Sequence, residues 1–335
     1  MTLTLLIPGL LLPEEILDST AYDLDTPQLS RLIGRGRRRA LATDWLGDAF
    51  GLGPLPAAAL RKIGAGETPA SLGSEQWLCL DPVYWQVSPE GIVLDDPARL
   101  ALTAAESDAL REAVRPLFAD WGELTASAAG RWELRLHRPL ALDTDPLPRA
   151  IQQSIDPRLP GGGDGAAWRR RLAEAQTLLH AHPVNLAREA AGQPTVNSLW
   201  PWGQGRLPAT SPAALRPPFD AVWSDDPVLA GLCALAGVST RPPPARFDAG
   251  EYAGRQVLAI IDTLAGPARA LDALRWRDAL LAVDRDWLAP ALTRCRSLRL
   301  VGTRLGHDRA TVAFDLGRGD RLCFWRKPRP ATDLK

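Results

Sequence analysis

The sequence predicts an α/β fold with a largely parallel central sheet flanked by helices, and three observations predict it. Leu3-Thr4-Leu5-Leu6-Ile7 is a short apolar run that stops at Pro8-Gly9, as a central strand buried on both faces does. Val257-Leu258-Ala259-Ile260-Ile261 repeats that pattern and is closed by Asp262-Thr263. Amphipathic helical segments lie between the two, and the C-terminal part turns to short alternating runs that suit an antiparallel hairpin at a sheet edge. With 335 residues the chain can bury a large core and has room for roughly two domains.

After the first strand, Thr26 reads as an N-cap, with Pro27 at the first helical position. Leu29, Leu32 and Ile33 share one helix face, and Gly34 and Gly36 end it. Further helical patterns run from Leu41 to Phe50 and from Ala57 to Ile63. Trp77-Leu78-Cys79-Leu80, Tyr84-Trp85-Gln86-Val87 and Ile92-Val93-Leu94 read as strands separated by Asp-Pro and Pro-Glu-Gly turns. Thr103 and Glu106 form a capping box ahead of a helix whose apolar face is Leu110, Val114, Leu117 and Phe118. Trp132 to His137 alternates as a half-buried strand does, and residues 143–165 read as a Pro/Gly-rich loop. Residues 76–165 are therefore expected to form an α+β insertion or cap, with 1–75 and 166–335 a discontinuous α/β core.

Ala166 to His180, the short segment His182 to Gly192, and Val228 to Ala236 all read as helices. So do Pro267 to Leu281 and Val283 to Leu292, with Pro290 kinking or ending the last. Leu298 to Val301, Thr311 to Leu316 and Arg321 to Trp325 read as the closing strands.

Composition excludes several classes of function. Lys+Arg and Asp+Glu both number 39, so net charge provides no global attraction to nucleic acid or to a membrane, and neither is expected as a partner. The cluster Arg35, Arg37, Arg38 and Arg39 reads first as a solvated helix end. Cys79, Cys233, Cys295 and Cys323 lie far apart without a CxxC, as buried thiols of a reducing compartment do. Leu3 to Leu12 is too short to span a bilayer, which needs about 20 residues, and it lacks a signal peptide's basic start. A cytoplasmic protein is expected. No Gly-x-Ser-x-Gly elbow, P-loop or strand-to-helix GxGxxG is present.

The stretch richest in information is Val196-Asn197-Ser198-Leu199-Trp200-Pro201-Trp202-Gly203-Gln204-Gly205, preceded by His182-Pro183-Val184-Asn185 with Arg188 and Gly192. It reads as a buried strand opening into a glycine turn, where open α/β sheets hold ligands. Together these residues resemble the paired motif of cofactor-independent phosphoglycerate mutases of the archaeal type, members of the alkaline phosphatase superfamily. Thr26-Pro27-Gln28-Leu29-Ser30-Arg31-Leu32 and Val222-Trp223 through Gly237-Val238 are similar to other segments of that family. Leu178-Leu179-His180-Ala181-His182-Pro183-Val184-Asn185 and Asp286-Trp287-Leu288-Ala289-Pro290 resemble the bacterial Rpf-type regulatory proteins. The resemblance implies an alkaline-phosphatase-like core.

It also implies two divalent metals on Asp and His ligands and a Ser or Thr nucleophile, which this sequence does not supply at matching positions. The first metal Asp would follow strand one, where Pro8-Gly9 stands. The nucleophile would fall near Asp44-Trp45-Leu46-Gly47, where Thr43 is the one hydroxyl. An Asp-x-x-Gly-His element would follow Val257–Ile261, where Asp262-Thr263-Leu264-Ala265-Gly266-Pro267 stands. A later Asp-His pair meets only the reversed His307-Asp308. Two dications need several carboxylates and imidazoles around them, and the chain has four histidines. His180 and His182, two apart at a helix end, face different ways. Asp262 reads as a cap of the next helix ahead of a remnant ligand.

Two readings of the Trp-Gly stretch stay open. In one, Trp200 and Trp202 are core packing and the glycines make a tight turn. In the other, backbone N–H groups at Gly203, Gln204 and Gly205 join Asn185, Arg188, Asn197, Trp200 and Trp202 around a small anion. For Arg188 a surface position ranks ahead of a ligand contact. The expectation is a catalytically degenerate, regulatory phosphoglycerate-mutase-like pseudoenzyme of bacterial type. It would need no cofactor and would bind a small phosphorylated or anionic metabolite or a protein partner. The alternative is an active Mn²⁺- or Mg²⁺-dependent mutase or phosphohydrolase.

Overall fold

A computed structural model of the chain describes residues 1–42, 45–88, 91–207, 215, 217–306 and 310–334. The strands among them begin with β1 (Thr2–Leu11), β2 (Arg37–Ala40), β3 (Gln76–Val83), β4 (Trp85–Ser88), β5 (Gly91–Leu94), β6 (Gly122–Ala128) and β7 (Arg131–Leu136). They continue with β8 (Ser198–Gly205), β9 (Ala221–Trp223), β10 (Ser239–Arg241), β11 (Gln256–Ile260), β12 (Ser297–Arg304) and β13 (Thr311–Leu316). The chain forms two compact units. One comprises Met1–Pro54, Pro212–Asp226 and Ala236–Lys335, and the other Leu55–Ser211 and Pro227–Leu235. The helix Gly165–His180, the helix Pro183–Ala190 and β8 thus belong to the same unit as residues 76–165.

The first unit carries a seven-stranded sheet in the order β10-β9-β11-β1-β12-β13-β2. β1 runs parallel to β11 and β12, with Leu5 opposite Ala259 and Leu300. This is the buried central strand expected of an unbroken apolar run. β12 and β13 make the antiparallel hairpin, so the α/β class and the C-terminal hairpin are both present. The hairpin is not the sheet edge, however. β2 pairs antiparallel with β13 beyond it; of the arginines expected at a helix end, Arg35 does end helix Pro27–Arg35, while Arg37, Arg38 and Arg39 are an exposed edge strand. Arg321–Trp325 is not a strand either, because the turn at Gly317 leads into the helical turn Arg318–Arg321.

Helix Pro27–Arg35 starts at Thr26 as predicted, but the Thr26 side chain makes no cap bond. Asp284, from the far end of the chain, accepts instead from Leu29 N (2.7 Å) and Gln28 N (3.4 Å). The carboxylate meets the positive end of the helix dipole. Near the C-terminus the expected long helices are divided at Leu271, whose φ is 51°. The second, Ala273–Val283, runs through a π-turn, Asp284–Leu288, into Ala289–Arg294. Pro290 follows directly on that π-turn, so it neither ends the helical run nor stands at a free helix start.

The second unit is built on an antiparallel sheet in the order β6-β7-β3-β8, with β4-β5 a separate hairpin. Helices Ala104–Phe118 and Gly165–His180 cover the sheet's core, where Trp168 meets Phe118 and Trp121 at ring separations of 5.6 and 5.3 Å. The Thr103–Glu106 capping box forms in both directions. Cys79, Cys233 and Cys295 are buried free thiols, while Cys323 is half-buried. Among the described residues no helix is long and apolar enough to cross a membrane.

Candidate functional site

The Trp-Gly stretch is β8 itself, paired antiparallel with β3 in the second unit and not with the parallel strands. Its glycines do not form a turn after the strand. Between Trp202↔Cys79 and Gly205↔Trp77 the register slips, so Gly203 and Gln204 together oppose Leu78. This is a β-bulge with a left-handed glycine, Gly203 at φ +62°. A Cβ on Gly203 would lie 2.6 Å from the Ala57 Cβ, and one on Gly205 2.7 Å from the Pro56 Cβ. The two glycines let the start of helix Ala57–Gly64 lie directly on the strand.

The remaining candidate side chains are held by the protein's own groups. Asn185, buried on helix Pro183–Ala190, donates to Leu179 O (2.8 Å) and Val196 O (2.7 Å) and accepts from Val196 N (3.0 Å). Arg188 is buried, contrary to the surface position expected. It donates to Pro194 O (2.9 Å), Glu106 Oε1 (2.9 Å) and Leu100 O. Asn197 pairs with both backbone groups of Trp85 at 2.7 and 2.8 Å. Trp200 Nε1 donates to Asp145 O (2.9 Å), and Gln204 Nε2 donates to Leu140 O (2.9 Å) and Gln76 Oε1 (3.2 Å). His182 caps its helix by accepting from Val184 N at Nδ1 (3.2 Å). Most of these are side chain–backbone bonds, and those of Asn185 satisfy groups that would otherwise be buried without a partner.

Trp202 leads to a charged cluster that sequence reasoning missed. Its Nε1 donates to Asp81 Oδ2 (2.8 Å), which also accepts from Arg61 Nη1 (2.8 Å). Arg61 Nε donates to Glu133 Oε1 (2.6 Å) and Nη2 to Trp132 O (2.7 Å). Ser127 Oγ donates to Glu133 Oε1 at 2.7 Å, while the buried Oε2 has no hydrogen-bond partner. Arg61, Asp81 and Glu133 are all buried, one guanidinium for two carboxylates. Burial pushes the Glu133 pKa up against the pull of Arg61, and a proton on Oε2 leaves both bonds to Oε1 intact. Burial opposes the Arg61 charge, but Asp81 and Glu133 outweigh it and raise its pKa. A carboxyl with a raised pKa is suited to acid catalysis; Glu133 has no exposed surface and so presents its proton to no substrate. The available signal was charge set into apolar segments: Arg61, with Lys62, after Ala57–Leu60, Asp81 after Trp77–Leu80, and Glu133 between Trp132 and Leu134.

The metal-ligand positions implied by the resemblance lie in the first unit. At the end of β1 the register with β12 slips between Pro8 and Leu11, and Gly9 takes φ +79°. A Cβ there would meet the Ala268 Cβ and Leu264 O, both at 2.8 Å, and Gly9 O accepts from Trp276 Nε1 (2.8 Å). Leu264, Ala265 and Ala268, from the segment after β11, are buried on this glycine. Asp262 is exposed, and helix Ala265–Arg269 has no side-chain cap, so the cap expected there is absent. A two-metal centre does not fit these residues. Among the described residues no group of three or more His, Cys, Asp or Glu side chains could hold a metal. Thr43-Asp44 and His307-Asp308 lie outside the described residues.

The first unit does hold a cavity of about 470 Å³, at the N-terminal ends of β1, β11 and β12. Thr2, Gln256, Ser297 and Trp45 line it, with Arg37 and Arg299. Arg299 grips Asp315 across the hairpin at 2.5 and 3.2 Å, and Arg37 lies 3.7 Å from Asp320. Open α/β sheets hold ligands at the opposite, C-terminal ends of their strands.

Comparison with known proteins gives a partial match. No protein-family model matches the chain. Over 87 residues it is 36% identical to the 2,3-bisphosphoglycerate-independent phosphoglycerate mutase of Methanosarcina barkeri, and 37% identical to that of Methanosarcina mazei. Each match takes in 26% of this chain and 22% of the relative, about a fifth of the relative's length. In structure it is similar to the PH0037 protein of Pyrococcus horikoshii, with a TM-score of 0.57 at 13% identity over 99% of this chain and 91% of the other, which shows a shared fold. A cofactor-independent phosphoglycerate mutase from Thermoplasma acidophilum aligns over 99% of this chain and 94% of its own, with TM-score 0.49 and 17% identity. The chain is thus similar to phosphoglycerate mutases over about a quarter of its sequence, and its fold is shared with a solved structure over nearly its whole length.

Proposed function

We propose that the chain is a catalytically degenerate phosphoglycerate-mutase-like protein that acts by binding, in a regulatory role. The observation that carries this reading is Gly9. The position that would carry the first metal ligand has no room for a Cβ, and Leu264 and Ala268 occupy the space. The ligand expected is a small phosphorylated or anionic metabolite. The cavity beside Arg299 and Arg37 offers it two guanidiniums, for which it competes with Asp315 and Asp320. A ligand that binds only the folded state raises Tm as its concentration exceeds Kd. Inorganic phosphate and 3-phosphoglycerate are therefore expected to raise the Tm of the parent and to leave Arg299→Ala unshifted. Equal shifts in both proteins, or none in either, would remove the cavity from the proposal.

A second reading, an active enzyme requiring Mn²⁺ or Mg²⁺, is favoured by the 36% identity over 87 residues to phosphoglycerate mutases. Metal-dependent turnover of a phosphoglycerate would establish it.

A further inference from the structure

Large apolar side chains standing together in water mark a surface that something else covers. Leu322, Phe324 and Trp325 are 75%, 79% and 67% exposed, and the last two rings meet edge to face at 5.3 Å. They form a knuckle between the helical turn Arg318–Arg321 and Pro328. Cations from two distant segments surround it. Arg35 Nη1 donates to Arg321 O (3.2 Å), and Arg326 Nη1 donates back to Arg35 O (3.0 Å). Buried Asp320 lies 3.7 Å from Arg37 and 3.5 Å from Arg326. These contacts fasten the edge strand β2, with Arg37, Arg38 and Arg39 exposed, beside Arg326 and Lys327, also exposed. The chain's zero net charge therefore hides a strongly positive patch with apolar tips.

The chemistry selects among occupants. Pairing β2 edge to edge with a second copy sets arginine against arginine, which is repulsive. Single-stranded nucleic acid stacks on rings, and Leu322 has none. A protein partner would have to offer an apolar pocket for all three tips and carboxylates for the cations at once. Aromatic and aliphatic tips ringed by Arg and Lys are what an anionic bilayer surface accepts: the tips enter the headgroup boundary and the cations meet the phosphates. We infer that Leu322, Phe324 and Trp325, with the basic edge formed by β2, Arg326 and Lys327, are a docking surface for an anionic lipid membrane. This departs from the expectation of no membrane partner drawn from net charge, because the two basic segments meet only in the fold. The inference is independent of the proposed loss of catalysis.

The test is co-sedimentation of the full chain, at low ionic strength, with vesicles of equimolar phosphatidylglycerol and phosphatidylcholine or of phosphatidylcholine alone. The chain is expected to pellet with the anionic vesicles only, and added salt releases it. Phe324→Ser/Trp325→Ser and Arg39→Glu/Lys327→Glu each lower the partition by at least about ten-fold. Because all four residues are exposed, both variants should melt as the parent does. Equal pelleting with both vesicle types, or unchanged partition of the variants, overturns the inference. So does binding to polyglutamate without binding to vesicles, which assigns the surface to an acidic protein.

Discussion

At the end of β1 the groups that meet are the Ala268 methyl and the backbone of Leu264 and Ala265, closed over a glycine; in the antiparallel sheet of the second unit they are the side chains of Arg61, Asp81 and Glu133. Both places are organised by a left-handed glycine in a β-bulge, Gly9 in β1 and Gly203 in β8. One glycine admits a helix where the resemblance implies a metal ligand, and the other admits the helix that carries Arg61. The region where the resemblance implies charge is therefore closed by close packing, and the buried charge sits in a sheet core. In this chain the family-like motif builds the second unit: its asparagines and arginine tie helix to strand, and Trp202 completes an ion cluster.

The largest effect should come from the charged region. Arg61→Ala leaves Asp81 and Glu133 buried without a counter-ion, which costs about 3–5 kcal/mol; chemical denaturation checks it, and a loss near zero would mean that water already reaches the cluster. In the apolar region, Gly9→Asp is expected to cost roughly 2–4 kcal/mol through left-handed strain and overpacking. It is also expected to confer no metal-dependent gain in Tm. Trp202→Phe keeps an aromatic side chain but loses the bond to Asp81 and part of the indole's buried volume, a loss of about 1–3 kcal/mol.

The smallest effect is a pH slope. Because burial raises the Glu133 pKa, the folded state holds that proton more tightly than the unfolded chain does. Its contribution to stability is full below the ordinary glutamate range and is lost as pH rises through the folded pKa. Glu133→Gln should flatten that slope while leaving stability near neutral pH within about 1 kcal/mol of the parent. An unchanged slope would assign the titration to another carboxyl.

Much of the fold was legible because its signals are local. Unbroken apolar runs marked β1 and β11, and Thr103 with Glu106 marked a helix start. What was not legible depends on partners distant in the chain. Arg37–Ala40 has no strand pattern of its own and becomes β2 because β13 offers it an edge. Thr26 looked like a cap, but the acceptor comes from Asp284. Arg188 looked like a surface residue because its neutralising group, Glu106, and its acceptor Leu100 O belong to another segment. The Trp-Gly stretch was readable as a strand, but its neighbour was not, and the neighbour decides whether a glycine opens a ligand crevice or a bulge in a sheet. At the end of β1, Pro8-Gly9 in place of the implied Asp was legible in the sequence, whereas the close packing on Gly9 needed coordinates.

The end of β1 has no room for a side chain where the resemblance implies a metal ligand, and the consequence to check is loss of the family's metal chemistry. Its most direct measurement is the interconversion of 2- and 3-phosphoglycerate by chelator-treated protein, with and without added Mn²⁺ or Mg²⁺. No metal-dependent turnover beyond the protein-free control is expected. Turnover that appears with metal and disappears with chelator would contradict it.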